Sequence, residues 1–205
     1  MYQIKVLVTL MLTFSVSVSN AQWSQVPSSP TSVIQDIVEF NGVLYLAHGL
    51  QGVYRSADSA ATWQLISAGL NTPQAKNVYQ LLVKEDTIYA ATVDGIYKSQ
   101  NAGMHWLKRS NGITIGPGAL YEFCESIFEY NNELFTGAWS GIYRSTDCAE
   151  NWITTNASGS GILAKNFVSH SGEFFAARES IRTSKIATIA YTLSPFRSSV
   201  GIMAR

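Results

Sequence analysis

Gly52-Val53-Tyr54-Arg55-Ser56-Ala57-Asp58, closed by Trp63, is the stretch that decides the fold, because the chain writes it three times. It returns as Gly95-Ile96-Tyr97-Lys98-Ser99-Gln100-Asn101 closed by Trp106, and as Gly141-Ile142-Tyr143-Arg144-Ser145-Thr146-Asp147 closed by Trp152. The three tryptophans stand 43 and 46 residues apart. A period of that length built from short strands is the mark of propeller blades.

Working outward, each unit reads as four strands. The first is an apolar run over 33–40, 78–83 or 121–128. A polar hairpin tip follows, at Asn41-Gly42, Glu85-Asp86 or Asn131-Asn132, of the residue types that tight turns favour. The second strand covers 43–47, 87–91 or 133–137. The third is the quoted Gly-Val/Ile-Tyr-Arg/Lys-Ser, and the fourth opens on the Trp. Apolar and polar residues alternate in the outer strands, as a half-buried strand requires. The expected fold is all-β: a propeller of four-stranded antiparallel blades, three complete over 34–155, with a partial or divergent fourth.

The ends differ from the middle. Lys5, an apolar run over 6–18 and Ser19-Asn20-Ala21 form an export signal over 1–21, with Gln22 as the mature start. The competing reading, a membrane anchor, suffers from a run too short to cross comfortably. The repeats then fill 22–179. Trp23-Ser24-Gln25-Val26 matches the Trp-led fourth strand, so the chain begins with a last strand that could close a ring and remove an exposed edge. The other reading of it is an ordinary lead-in peptide. A fourth unit has a first strand at Phe167-Val168, a turn at Gly172 and a second strand over 174–177. The pattern then fails: Glu179-Ser180-Ile181-Arg182-Thr183-Ser184 replaces the motif and no Trp follows. Residues 180–205 are therefore set apart as a divergent tail, with the marks of a truncated or frame-shifted end.

Lysines and arginines number 14, as do aspartates and glutamates, so the formal net charge is zero. No basic block is present to neutralise phosphates, which argues against nucleic acid as a partner. Cys124 and Cys148 fall in one unit, and export would permit a disulfide. Two separate thiols are the alternative. His48, His105 and His170 are too scattered to propose a metal, and no nucleotide loop or other cofactor motif is present, so the expected cofactor is none.

The turn before each Trp reads Ser56-x-Asp58-x-Ala60-x-Thr62-Trp63, Ser99-x-Asn101-x-Gly103-x-His105-Trp106 and Ser145-x-Asp147-x-Ala149-x-Asn151-Trp152. It resembles the Asp-box, or bacterial neuraminidase repeat, Ser-x-Asp-x-Gly-x-Thr-Trp. Asn101 replaces Asp, Ala60 and Ala149 replace Gly, and His105 and Asn151 replace Thr. The resemblance implies an exported propeller of the sialidase and sortilin-like superfamily, secreted, periplasmic or on a bacterial cell surface. The motif residues have a structural explanation. A short carboxylate or amide accepts backbone N–H groups and locks a turn, while the Trp buries a large ring and seeks an acceptor for its N–H. Ser56, Asp58, Trp63, Ser99, Asn101, Trp106, Ser145, Asp147 and Trp152 are thus expected to be scaffold.

A sialidase-type glycosidase is the enzymatic alternative. It would need an arginine cluster, a Tyr–Glu pair and an acid. The Phe/Tyr-Arg-Ile-Pro motif is absent, Arg55, Lys98 and Arg144 read as solvated third-strand positions, and Glu125 and Glu129 have no evident partner carboxylate. No catalytic residue is therefore assigned. The favoured reading is a non-catalytic exported propeller that binds a protein or glycan with loops on one face. Loops joining second to third strands, at 48–51, 92–94, 138–140 and 178–180, vary where the scaffold repeats. They offer His48, Asp94, Trp139 and Arg178 as the binding set, with Trp139 as the aromatic anchor.

Overall fold

The structure is a computed structural model that describes Val26, Pro30 and residues 33–116, 118–158, 163–170, 173–179, 189–191 and 200–202. All regular structure in those residues is β. Blade 1 holds β1 (Ile34–Phe40), β2 (Val43–His48), β3 (Gly52–Ser56) and β4 (Gln64–Leu65). Blade 2 holds β5 (Val78–Lys84), β6 (Thr87–Thr92), β7 (Gly95–Ser99) and β8 (Leu107–Lys108). Blade 3 holds β9 (Cys124–Tyr130), β10 (Glu133–Ala138), β11 (Gly141–Ser145) and β12 (Ile153–Ser158). Each is a four-stranded antiparallel sheet in sequence order.

A fourth blade is represented by the hairpin of β13 (Leu163–His170) and β14 (Glu173–Glu179). Its first strand is longer than the two residues expected. Past it, β15 (Ile189–Tyr191) and β16 (Val200–Ile202) form a second hairpin within the tail, where the sequence marks no strand. The export segment and Trp23 lie outside the described residues.

First strands pack on first strands, β1 on β5, β5 on β9 and β9 on β13. The core lies between blades. Tyr45, Val53, Ile66 and Leu70 of blade 1 meet Val78, Leu81, Ile88 and Trp106 of blade 2. The same layer recurs between blades 2 and 3 with Tyr89, Ile96, Ile127, Leu134 and Trp152. Between blades 3 and 4, Phe128 and Phe135 pack against Phe174, with Phe167 stacked on it.

Polar side chains also tie one blade to the next from one repeated position. Asp36 Oδ2 accepts from Leu81 N at 2.9 Å, and Gln80 Oε1 from Ile127 N at 2.8 Å. Ser126 Oγ donates to the Ala164 carbonyl. Such bonds satisfy amides that would otherwise be buried unpaired between sheets.

The turn before each Trp has one geometry. Ser56, Ser99 and Ser145 Oγ each accept, at 2.9 Å, from the amide four residues on. Each also donates to the Asp or Asn two residues on, at 2.8–2.9 Å. Asp58, Asn101 and Asp147 in turn accept from the amide of Thr62, His105 or Asn151, each at 2.9 Å. The side-chain bond from Thr62, then its amide, holds the Asp58 carboxyl down at about 2. Asn151 lowers the Asp147 carboxyl in the same way.

Both cysteines are free thiols. Cys124 is buried in β9 and Cys148 is exposed in the turn after β11, so of the two sequence readings the structure takes the unbridged one. Burial pushes the Cys124 thiol up to about 12.

The third-strand cations are more than solvated positions. Lys98 is buried and reaches blade 3, meeting the Cys148 carbonyl at 3.2 Å and Glu150 at 2.9 Å. Arg144 makes a two-pronged bond to Glu133 of its own blade. The aliphatic stem of such a side chain lies along the sheet while its head finds a partner at the edge.

Candidate functional site

The turns joining second to third strands sit at equivalent places. In blades 1, 2 and 3 the residue after the second strand donates its amide to the residue before the first: Gly49 to Val33 O, Val93 to Asn77 O and Trp139 to Phe123 O. The turns therefore share one rim, and Asp94 and Trp139 lie on it.

The first strands carry a second regularity at that rim. Pairing with the second strand slips by one residue between Ile34 and Asp36, between Val78 and Gln80, opposite Gly137/Ala138 in β9, and between Ala164 and Asn166. Gln35, Tyr79, Glu125 and Lys165 are the extra residues. A bulge re-aims the residue it inserts and tends to fall at strand ends. Because these four residues differ in kind, the repeat conceals them.

Two of the bulged residues and two rim residues build a surface between blades 2 and 3. Tyr79 meets Phe123 edge-on at 5.2 Å between ring centroids, and Phe123 meets Trp139 at 6.4 Å. Trp139 is half-buried. Its Cδ1 lies so near Gly116 that a Cβ there would sit 2.8 Å away. Beside the ring row, Ile115, Leu120 and Tyr121 of the linker are exposed at 54 %, 81 % and 37 %.

Charge flanks the row on both sides. Lys108 Nζ meets Asp94 at 3.1 Å and Glu122 at 3.0 Å, and Tyr97 donates its hydroxyl to Asp94 at 2.7 Å. Burial alone would lower the Lys108 ammonium, but Glu122 and Asp94 outweigh it and hold it above its ordinary value. Burial, then Asp94, raises the Tyr97 phenol. On the other side Glu125 pairs with Lys165 at 3.3 Å, and burial followed by the Glu125 charge raises the Tyr79 phenol. The Asp94–Lys108–Glu122 group joins the aromatic row in the chain at Glu122 and Phe123.

Two of the expected site residues are not loop residues. His48 is the last residue of β2 and is 1 % exposed. Its Nδ1 accepts from Leu50 N at 3.1 Å and its ring packs at 5.9 Å from Tyr54. It braces its turn from inside and offers a partner on the rim no surface. Arg178 lies in β14, paired with Ala164, in the register that His48 has with Ile34. Its side chain lies outside the described residues. β2 runs one residue past the expected 47 and β14 two past the expected 177, which accounts for both.

Two carboxylates weighed for catalysis have structural partners: Glu125 has Lys165, and Glu129 accepts from Asn132 N at 2.7 Å in the hairpin tip. A separate depression on blade 2 is lined by Lys98, Asn101, His105 and Arg109. Glu150 faces both Lys98 and Arg109 there, at 2.9 and 3.1 Å, and offsets their charge. No group of three metal-ligating side chains occurs among the described residues.

No protein-family model matches the chain, and no curated protein matches it. Solved structures do. The extracellular domain of a putative hybrid two-component system from B. thetaiotaomicron is 12 % identical with a TM-score of 0.72, covering 89 % of this chain and 23 % of that one. YCF48 from Cyanidioschyzon merolae is 18 % identical with a TM-score of 0.61, covering 90 % and 60 %. A GH74 xyloglucanase from Xanthomonas campestris is 15 % identical with a TM-score of 0.55, covering 78 % and 29 %. The chain thus spans between about a quarter and three fifths of these neighbours. At such identities the likeness is one of fold, and with the blades described above it makes the chain a β-propeller protein.

Proposed function

We propose that the chain is an exported, non-catalytic propeller of Asp-box type that binds a protein or glycan on the turn rim between blades 2 and 3. The carrying observation is the half-buried Trp139 in the row Tyr79–Phe123–Trp139, framed by the Asp94–Lys108–Glu122 group and the Glu125–Lys165 pair. Aromatic rings give a sugar ring or a peptide side chain an apolar face, and the flanking charges fix its orientation. The neighbours support the reading without deciding the ligand. One is an extracellular domain, one is YCF48 with a bound D1 peptide, and one is a xyloglucanase. The binding set under this reading is Asp94, Trp139, Tyr79, Phe123 and Lys108. His48 drops out because it is buried.

The test is a glycan array and a pull-down with the chain from Gln22, run beside Trp139→Ala. A ligand held by the wild type and lost by the variant supports the reading. A ligand held equally by both moves the site elsewhere. The glycosidase reading has its own assay. Turnover of a fluorogenic sialoside or a xyloglucan oligosaccharide, lost on Glu122→Gln or Glu125→Gln, would replace binding with catalysis.

A further inference from the structure

The turn before Trp106 departs from its two counterparts in polarity. In blades 1 and 3 the second carboxylate oxygen of the aspartate accepts from the side chain four residues on. Asp58 Oδ2 accepts from Thr62 Oγ1 at 2.6 Å, and Asp147 Oδ2 from Asn151 Nδ2 at 2.9 Å. Blade 2 has Asn101 there. Its Oδ1 takes the Ser99 hydroxyl and the His105 amide, both at 2.9 Å. A backbone N–H can only donate, so the bond from His105 fixes which way round the Asn101 side chain lies. Nδ2 therefore stands where the aspartates present an acceptor, and it brings two N–H donors. Neither has a hydrogen-bond partner among the described residues.

Asn101 lines a depression of about 140 Å³, together with Lys98 of β7, Gln100 and His105 of the same turn, and Arg109 just past β8. Each of these side chains carries N–H donors. Lys98 is 7 % exposed and gives two of its three protons to Cys148 O and Glu150. Arg109 uses Nε on Glu150 and Nη1 on the Lys108 carbonyl, which leaves Nη2. Among the described residues Glu150 is the only carboxylate paired with either cation, so two positive charges meet one negative charge. The counterparts of His105 and Arg109 are Thr62 and Ile66 in blade 1, and Asn151 and Thr155 in blade 3. Blade 2 thus loses a carboxylate and gains an imidazole and a guanidinium around one cavity. Departures of one polarity gathered in one place mark a site grafted on a repeated scaffold.

We propose that this depression binds a tetrahedral oxyanion, a phosphate or sulfate group. Lys98 and Arg109 supply the net charge, and Asn101 Nδ2, Gln100 and His105 supply further donors. Hydrogen bonds from cations to such oxygens are of the strong, charge-assisted kind. Glu150 already gives the two cations a planar carboxylate. The remaining donors come from β7, the turn and the end of β8. A tetrahedral group, whose oxygens point several ways, uses more of them than a second carboxylate could. The nearly buried Lys98 ammonium also sets the cost of leaving the site dry, because a charge out of water needs all its partners. This site lies apart from the Trp139 rim and does not rest on the reading of that rim.

The experiment is an NMR titration of the ¹⁵N-labelled chain with sodium phosphate, sulfate or acetate, chloride holding the ionic strength constant. Phosphate or sulfate should move the Asn101 and His105 side-chain signals and the Arg109 Nε–H along one saturable curve, with acetate about tenfold weaker or more. Asn101→Asp should keep the turn, since Asp58 and Asp147 make the same bonds to it. It should weaken phosphate about tenfold or more, read at His105 and Arg109, because donors become an acceptor of like charge. Asp58→Asn, the mirror change in blade 1, should leave the affinity unaltered. Methyl phosphate separates the sources. Binding as tight as phosphate means the group arrives on a larger ligand, weaker binding means the free ion is held, and both support the site. No saturable shift with phosphate or sulfate, equal binding of acetate, or an unaltered affinity in Asn101→Asp overturns the proposal.

Discussion

The Trp152 indole N–H donates to the Arg109 carbonyl over 2.8 Å, from the third blade into the second. That bond is possible because the chain just past Arg109 folds flat beneath the tryptophan. Gly112 has φ +95°, and a Cβ there would lie 2.0 Å from the Trp152 carbonyl. Ring burial, indole bond and glycine turn form one device, and Gly69 with Trp106 repeats it. The blades are thereby fixed relative to one another by backbone geometry as well as by apolar packing.

Gly112→Ala should therefore be among the most damaging single changes. It meets both a left-handed backbone and a contact with main chain that cannot swing aside. The expected loss is at least about 2 kcal/mol. Gly118→Ala is the control, since φ there is +78° with nothing within 4 Å of the added Cβ. It should cost only the backbone penalty, about 1 kcal/mol. Urea unfolding of the two variants checks the difference. Equal losses would mean that the approach to Trp152 is relaxed at no cost.

Asp147 should matter to stability in a pH-dependent way. Its carboxylate accepts from Asn151 N, Asn151 Nδ2 and Ser145 Oγ. Asp147→Ala should cost about 1 kcal/mol at pH 7, the scale of a lost capping bond at an exposed site. Asp147 and Asp58 both have folded-state values below the ordinary 3.8. Their contribution is thus present above about pH 4 and lost as pH falls through the folded value, about 2 for Asp58. Melting curves of wild type and Asp147→Ala should draw together as the pH falls below the ordinary carboxylate value of 3.8. A gap that is constant with pH would mean the side chain acts through packing.

The thiols should react one at a time. Cys148 is exposed in its turn, while Cys124 is fully buried with its thiol held near 12. The thiolate is the reactive form. A thiol reagent at pH 8 should modify one cysteine quickly in the native chain and the second only in denaturant. Two fast modifications, or none with a mass two hydrogens low, would contradict the unbridged arrangement.

How much of this was legible in the sequence depends on whether a feature repeats. The strand order, the polar hairpin tips and the Trp positions recur in place, and the third strands nearly letter for letter, so the blades could be read directly. The bulged positions Gln35, Tyr79, Glu125 and Lys165 recur in place and never in residue type. A pattern of residues cannot reveal a shift in register, and Tyr79 and Lys165 were missed as rim residues for that reason. His48 was misplaced because a strand end and a turn start have the same composition, and only the pairing with Ile34 tells them apart. Lys98 found its partner Glu150 at a separation of 52 residues, beyond any local rule.

Trp139 is the position on which the binding proposal turns. It lies on the rim, is half-buried, and has Phe123 and Gly116 as neighbours. A half-buried aromatic on rigid backbone loses little freedom when a ligand covers it, which is why such residues dominate interfaces. Trp139→Ala should weaken binding of whatever ligand the array or pull-down returns by about thirtyfold, or 2 kcal/mol. Tyr79→Phe should leave binding within about threefold, because it keeps the ring that meets Phe123. Thermal unfolding separates the effects: Trp139→Ala leaves Trp106, Trp152 and the ion pairs of Lys108 and Lys165 intact and should stay folded. Calorimetry of both variants against the ligand decides. If Trp139→Ala binds as the wild type does, or weakens only in step with unfolding, the rim between blades 2 and 3 is scaffold and the ligand is held elsewhere on the propeller.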